Sequence, residues 1–419
     1  MKPLPVIAVF DIGRTNKKFF LFDRNYGVVY ERAVQLEETT DADGYPSEDL
    51  DLLAKWMQEI FDQAFDHPDF NIQALNFSGY GASIVHLDET GKPLIPLYNY
   101  LKPYPATLLQ EFCSTYGGER ALSLATGAPL TGSLNTGLQL YRLKKEQPSV
   151  FADVHQTLHL PQWLSYLFTK ECCSEMTSLG CHTALWDFQR QDYHPWVQEE
   201  NITSKLPPIY PSQAAIQIQY RERPLHVGVG LHDSSAALLP YLIKAEEPFV
   251  LVSTGTWSVT LNPFNDRSLT AGELSSDMLC YLTYEGRPVK AGRLLLGRKH
   301  EEQAAELEKD FGVQSGAYKQ VIFDLHWTPK QTDSFVAAYH QLVFELVEEQ
   351  AAVIRNVHPE KDPMRLLVEG GFAQNSIFMH LLARAFPHAV VVASVLAQAS
   401  ALGAALALHG SWQIDKRSI

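Results

Sequence analysis

Asp233, set in the run Gly228-Val-Gly-Leu-His-Asp-Ser-Ser-Ala-Ala237, stands where a tight Gly-rich turn feeds an apolar helix. A carboxylate so placed can take a proton from a hydroxyl, because the helix start favours its anionic form and holds it fixed. The plain alternative is that Asp233 caps that helix, and the two roles are compatible. Just downstream, Phe249-Val-Leu-Val-Ser-Thr-Gly-Thr-Trp257 reads as a buried strand ending in a small polar loop. Gly255 lets backbone N–H groups approach an oxyanion, and Thr254 and Thr256 add hydroxyl donors. A proton acceptor and a loop suited to phosphate are the parts that phosphoryl transfer to a hydroxyl requires.

A second such loop opens the chain, Asp11-Ile-Gly-Arg-Thr-Asn-Lys-Lys18. Gly13 and Thr15 offer the same chemistry as Gly255 and Thr256, and Arg14, Lys17 and Lys18 make the turn basic. Arg14 and Lys17 are read equally well as cations solvating an exposed turn. Asp11 is short and close to where phosphate would sit, so it calls for a cation and is expected to face Mg²⁺, mostly through water. After Gly13 the sequence returns as a strand, Lys18-Phe-Phe-Leu-Phe-Asp23, with no helix. A dinucleotide-binding Gly-x-Gly-x-x-Gly or a Walker A sequence needs a helix there, and neither is present.

The elements that must hold these loops alternate along the chain. Strands are expected at Val6 to Phe10, Lys18 to Phe22, Gly27 to Glu31 and Ala74 to Phe77, with an amphipathic helix from Asp51 to Phe65 on a stripe of Leu52, Leu53, Trp56, Met57, Ile60, Phe61 and Phe65. Ile84 to Leu97 has hairpin character, turning at Glu89-Thr-Gly91. Thr136 to Leu167 is largely helical, broken at Gln147-Pro148 and by a strand-like Thr157 to Leu160. A second start follows at Gly228 to Leu242, with strands at Phe249 to Ser253, Ser258 to Asn262 and Arg365 to Glu369 and a long helix through Ser334 to Val357. The domain boundary is placed near Arg221 to Val227, giving domains 1–226 and 227–419. Each half begins with a Gly-bearing turn and a strand pair, which is the logic of an α/β, two-domain actin-like ATPase (ribonuclease H-like) fold with a nucleotide cleft between the domains.

Composition excludes several classes. At 419 residues, 46% hydrophobic and 20% charged, the chain is an ordinary globular protein with room for two cores. A net charge of −14 argues against nucleic-acid binding and against attraction to anionic membranes. Five cysteines, with Cys172 and Cys173 adjacent, show no metal-ligand spacing, so reduced thiols in a cytoplasmic protein are expected. The uncharged stretch Ala389 to Leu408 has the length of a membrane span, yet reads better as strand, loop and small-residue helix.

Val6 to Asp23, Asn76 to Asp88, Gly228 to Ala237, Val250 to Val259 and Leu367 to Ala405 are similar, in order and spacing, to the signature segments of the FGGY carbohydrate kinases. The resemblance implies that Asp233 is the catalytic base, with Asp11 and Asp233 toward Mg²⁺. Gly13, Thr15, Asn16, Lys18, Thr254, Gly255 and Thr256 are then expected at the phosphates of ATP. Gly370 and Gly371 would lie flat against adenine, although a tight strand-to-helix turn accounts for them as well, and Asn375 would fix that loop or a hydroxyl. Gln398 to Gly403 resembles the family's closing motif, where Glu is commoner at position 398. Sugar contacts are implied for Tyr80, Gly81, Ala82, Ser83, Tyr100, His232, Asp233 and Trp257, with Lys102 and Gln139 as further hydroxyl partners. Relatives often carry an acidic residue near positions 82 and 83, which Ala82 and Ser83 lack. Thr177 to Gly180 also matches a family loop, with no role that follows from the residues.

Within the family, the segments around His232 and Trp257 are most like those of kinases acting on the 6-deoxy-ketohexoses L-rhamnulose and L-fuculose. The expected partners are a sugar and ATP, with the chain a monomer or homodimer. A xylulose, ribulose or polyol kinase is the enzyme-level alternative, and a non-catalytic sugar or nucleotide sensor on the same fold is the alternative of another class.

Overall fold

Val6, Ile7, Ala8, Val9 and Phe10 are all fully buried, so the strand they form must be covered on both faces. It is the Leu4–Ile12 strand of a seven-stranded sheet ordered Ala215–Tyr220, Arg223–Gly228, Phe70–Gly79, Leu4–Ile12, Lys17–Phe22, Val28–Val34, with Leu231–His232 also paired to Phe70–Gly79. One face, through Val6, Ala8 and Phe10, packs on Leu53, Met57, Ile60 and Phe61 of the helix Leu50–Phe65. The other, through Ile7 and Val9, packs on Ala401, Ala404 and Leu408. The computed structural model that shows this describes residues 2–359, 364–394, 396 and 398–413.

Register decides what meets at the sheet's carboxyl end. Leu4–Ile12 runs antiparallel to Lys17–Phe22, pairing Asp11 with Lys18, and parallel to Phe70–Gly79, pairing Asp11 with Ser78 and Ile12 with Gly79. Leu231 and His232 run parallel to Ser78 and Gly79 from the opposite side. Asp11, the Gly79 loop and the His232-Asp233 step therefore share one end of the sheet, where α/β sheets bind ligands.

Packing divides the described chain into two compact units, Met1–Lys244 with Cys280–Pro288 and Gln398–Ile419, and Ala245–Leu279 with Val289–Ala397. This division follows contact, whereas the boundary proposed near 226/227 separates family domains. In the second unit, Pro288–Leu294, Ser258–Asn262, Phe249–Thr254, Arg365–Gly370 and Val390–Ala393 lie side by side in that order. The long helix Phe335–Val357 packs on the Ser258–Asn262 strand, and its buried Gln350 is satisfied by Ser258 Oγ and Thr260 Oγ1 at 2.6 and 2.7 Å.

Most expected elements are found. Helices Thr136–Glu146 and Pro148–Asp153, strand Gln156–His159 and helix Leu160–Thr169 follow the breaks read from the sequence. The turn at Asp88 to Lys92 closes as expected, but Ile84–Leu87 takes Gln156–His159 as its main partner. Hairpin character is local, and this pairing comes from residues some seventy positions away, so periodicity does not report it. The stretch 389–408 holds the strand Val390–Ala393 and the helix Ala399–Ala407, with positions 395 and 397 outside the described residues. No helix among the described residues is long and apolar enough to cross a membrane. None of the five cysteines is in a disulfide.

Candidate active site

Asp233 opens the helix Asp233–Lys244. Its Oδ1 accepts from the Ser234 N–H at 2.6 Å and from the Ser234 hydroxyl at 3.2 Å. Desolvation still outweighs those bonds and pushes the carboxyl up to about 6, above the ordinary carboxylate range. Asp11 is likewise pushed up to about 6 by burial, with the Asp233 charge adding to the rise and bonds from Ser400 and Ser78 and the Lys18 charge opposing it. Asp11 thus senses the Asp233 charge at one sheet end.

Ser400 Oγ donates to Asp11 Oδ2 at 3.0 Å. It is the second residue of the helix Ala399–Ala407, which can lie close because Gly403 has no Cβ; one there would sit 1.8 Å from the Ala236 carbonyl oxygen. Asn76 fixes the same helix by donating to the Ala404 carbonyl at 2.7 Å. The sequence singled out the 398–403 motif without seeing that its serine reaches the first loop.

His232 is buried, and burial drives its imidazole down to about 3, so the ring is neutral. Nε2 stands 3.2 Å from Asp233 Oδ1 and 3.0 Å from Cys181 Sγ. A neutral ring facing a carboxylate carries its proton on that nitrogen, which leaves Nδ1 as an acceptor, and Nδ1 is buried with no protein partner. The His232 N–H donates to Thr177 Oγ1 at 2.9 Å; Thr177 in turn donates to Glu175 Oε2 at 2.6 Å. This is the role of the Thr177 loop that the sequence alone did not supply.

Beside His232 lies a small pocket lined by Tyr80, Gly81, Ser83, His159, Pro161, Ser178 and His232. The hydroxyls of Ser83 and Ser178 and His232 Nδ1 are buried there without partners. Orphaned polar groups of this kind call for a ligand or water. Ala82 takes a left-handed backbone with φ 58°, and its carbonyl accepts from Gln139 Nε2 at 2.8 Å. Gln139 therefore shapes the loop. His159 and Cys181 were not legible as site residues, and Ser178 was singled out only as part of the Thr177 to Gly180 loop, without a role.

Not every expected donor faces a ligand. Lys102 is buried and ion-paired with Asp41 and Asp43 at 2.5 and 2.6 Å, a correction to its reading as a hydroxyl partner. Lys17 is buried against Glu48 at 2.8 Å, and Arg14 pairs with Glu38; neither simply solvates the turn. Thr15 and Asn16 are exposed, and Asn16 Oδ1 accepts from Gln35. Lys18 is half-buried beside Asp11. Tyr100 packs edge-on to Tyr80.

In the second unit, Gly255 and Thr256 form the turn between Phe249–Thr254 and Ser258–Asn262, closed by the Gly255 N–H on the Trp257 carbonyl at 2.8 Å. The Thr254 hydroxyl donates to the Glu369 carbonyl and accepts from the Phe372 N–H at 3.1 Å, so it ties Gly370 to the loop. Gly370 has φ 82°, and a Cβ there would meet the Thr254 carbonyl oxygen at 1.8 Å. Gly371 has open space where a Cβ would be. Asn375 caps the helix Ser376–Ala385 by accepting from Phe378 N–H at 3.0 Å and donates to the Tyr339 hydroxyl at 3.0 Å, which fixes the loop. Trp257 is half-exposed with the Arg293 guanidinium 5.8 Å from its ring centre.

Residues 6–238 match the FGGY family of carbohydrate kinases, N-terminal domain, and residues 246–325 match the carbohydrate kinase FGGY C-terminal domain. A rhamnulokinase of Halalkalibacterium halodurans is 27% identical over 202 residues, 44% of this chain and 41% of that protein. A rhamnulokinase of Yersinia pestis is 25% identical over 228 residues, 52% of this chain and 45% of that protein. The matched stretch thus spans less than half the length of either relative. Among solved structures, a carbohydrate kinase from Novosphingobium aromaticivorans superposes with a TM-score of 0.79 at 21% identity, covering 96% of this chain and 91% of that one. A ligand-bound xylulose kinase from Lactobacillus acidophilus gives 0.81 at 16% identity, with 99% and 91% covered. The fold is the actin-like ATPase fold of these proteins.

Proposed function

The chain belongs to the FGGY family of carbohydrate kinases, and from that premise we propose that it transfers the γ-phosphoryl group of ATP to a hydroxyl of a ketose, in first place a 6-deoxy-ketohexose such as L-rhamnulose or L-fuculose. The observation that carries the reading is Asp233, raised to about 6 at a sheet end shared with Asp11 and with a pocket of unpartnered polar groups. At neutral pH such a carboxylate is ionised, yet it holds a proton more firmly than an ordinary one, which suits a general base.

In this account the acceptor hydroxyl gives its proton to Asp233 as its oxygen bonds to the γ-phosphorus and the bond to the ADP oxygen breaks. His232 donates Nε2–H toward Asp233 Oδ1 and holds the carboxylate in place. Its Nδ1, with the Ser83 and Ser178 hydroxyls, meets sugar hydroxyls, while Tyr80 and Pro161 supply an apolar wall for a methyl group. In the first unit the Gly13 turn, the Thr15 hydroxyl and Lys18 beside Asp11 are assigned to phosphate, and in the second unit, taken by itself, the Gly255 turn and the Thr256 hydroxyl.

Asp11 and Asp233 fit Mg²⁺. They are two partly buried acids, both raised by desolvation, with the Asp233 charge adding to the rise at Asp11, and the described residues hold no cluster of three ligating side chains. Mg²⁺ is bound in this way, by one or two carboxylates with the remaining positions left to water and phosphate oxygens. When bound, it neutralises phosphate charge.

The deoxy-ketohexose reading draws on the two rhamnulokinase relatives and on the pocket's mixture of orphaned hydroxyls and apolar wall. It is tested by ADP production with ATP, Mg²⁺ and a panel of ketoses and polyols. Stimulation by L-rhamnulose or L-fuculose above all others is expected; a pentulose or polyol preference overturns the sugar assignment, and no stimulation by any sugar favours a sensor.

A further inference from the structure

Glu48 is 3% exposed, and side chains from both loops of the first unit converge on it. Lys17 Nζ donates to Glu48 Oε2 at 2.8 Å, to the Gly13 carbonyl at 3.3 Å and to the Arg14 carbonyl at 2.9 Å. An ammonium has three N–H donors, so Lys17 is fully spent inside the loop and has none left for phosphate. Arg14 Nη1 lies 3.9 Å from the same Glu48 oxygen. From the other side, the Tyr80 hydroxyl donates to Glu48 Oε2 at 3.3 Å, and Arg14 also faces that hydroxyl. Tyr80 is a wall of the pocket that holds the orphaned Ser83, Ser178 and His232 groups.

One buried carboxylate therefore joins the backbone of the Gly13 turn to the wall of the pocket. A buried Lys–Glu pair contributes little net stability compared with an apolar pair of similar volume, so its value lies in fixing geometry. We propose that Glu48 is a positioning residue that couples the sugar pocket to the first phosphate loop. A ligand that presses on Tyr80 shifts the hydroxyl on Glu48, Glu48 shifts Lys17, and Lys17 sets the Gly13 and Arg14 carbonyls and with them the N–H groups presented to phosphate. The inference rests on the kinase reading above and adds a route by which one substrate's site conditions the other's.

The test is calorimetric titration of Mg²⁺ and a nonhydrolysable ATP analogue into the full chain without sugar, comparing wild type with Tyr80→Phe, Glu48→Gln, Lys17→Met and Lys17→Arg. Tyr80→Phe removes one hydroxyl from the pocket wall, and is expected to weaken nucleotide binding by roughly 3- to 10-fold with unchanged melting temperature. Glu48→Gln and Lys17→Met should weaken it at least as much, and Lys17→Arg should restore most of it. If Glu48→Gln fails to fold, Tyr80→Phe still decides. Wild-type nucleotide affinity in folded Tyr80→Phe overturns the coupling and leaves the kinase reading standing, whereas a wild-type chain that binds no nucleotide overturns that reading and the coupling with it.

Discussion

His232 Nε2 and Asp233 Oδ1 stand 3.2 Å apart, and because burial keeps the imidazole neutral, the contact is a hydrogen bond from a neutral ring to a carboxylate. Acid–base behaviour near neutrality then belongs to the two carboxylates. Asp233 acts as base only when ionised, and its pKa is about 6, so kcat/KM should be flat above neutrality and fall about tenfold per pH unit well below 6. Asp11→Asn removes a repelling charge and should move this acid limb to lower pH, measured at saturating Mg²⁺. A limb that stays in place in the folded variant contradicts the coupling of the two acids.

The same shifts set the stability of the ligand-free chain. Both acids are raised in the folded state, so the folded chain binds more protons than the unfolded chain between the ordinary carboxylate pKa and about 6. Their contribution is fully favourable at pH below that window and is lost as pH rises through 6. Asp11→Asn should therefore raise the melting temperature at pH 7.5 by a small amount, roughly 1–3 °C, and give no gain at pH 4. A variant less stable than wild type at pH 7.5 counts against desolvation as the cause.

Ser400→Ala removes the 3.0 Å bond that steadies Asp11. It should raise the Mg²⁺ concentration needed for half-maximal rate by roughly 10-fold while leaving the sugar KM nearly unchanged. An unchanged Mg²⁺ requirement would separate Asp11 from the metal.

Ser83→Ala and Ser178→Ala remove the hydroxyls left without partners in the pocket. Each should raise the KM for the preferred ketose by roughly 10-fold with a smaller effect on kcat, and a 6-deoxy-ketohexose should exceed its 6-hydroxy counterpart in kcat/KM by roughly 10- to 100-fold. A preference narrowed by Trp257→Ala would add Trp257 to the apolar wall of Tyr80 and Pro161; equal loss for every sugar would leave that wall to Tyr80 and Pro161.

What was legible in the sequence was local. The hairpin after Gly13, the helix from Asp233 and the strand before Gly255 follow from period, glycine placement and the absence of a helix after the first turn, and all three are found. What was not legible depends on chain segments far apart in sequence. Ser400 meets Asp11 only because Gly403 lets two helices close on each other, and Thr177 meets His232 only once the strand Leu231–His232 is seated on Phe70–Gly79. The roles of Arg14 and Lys17 stayed open in the sequence, and the charge of Lys102 misled, for the same reason. Their partners Glu38, Glu48 and Asp41 lie in segments whose path the local pattern does not specify.

The most direct measurement is turnover of Asp233→Asn with the sugar that best stimulates ADP production in the wild type. The substitution keeps size and shape and removes the proton acceptor, so a fall of roughly 100-fold or more is expected, with an unchanged melting profile and nearly unchanged affinity for the ATP analogue. Near-normal turnover in a folded Asp233→Asn protein would contradict the assignment of Asp233 as the base.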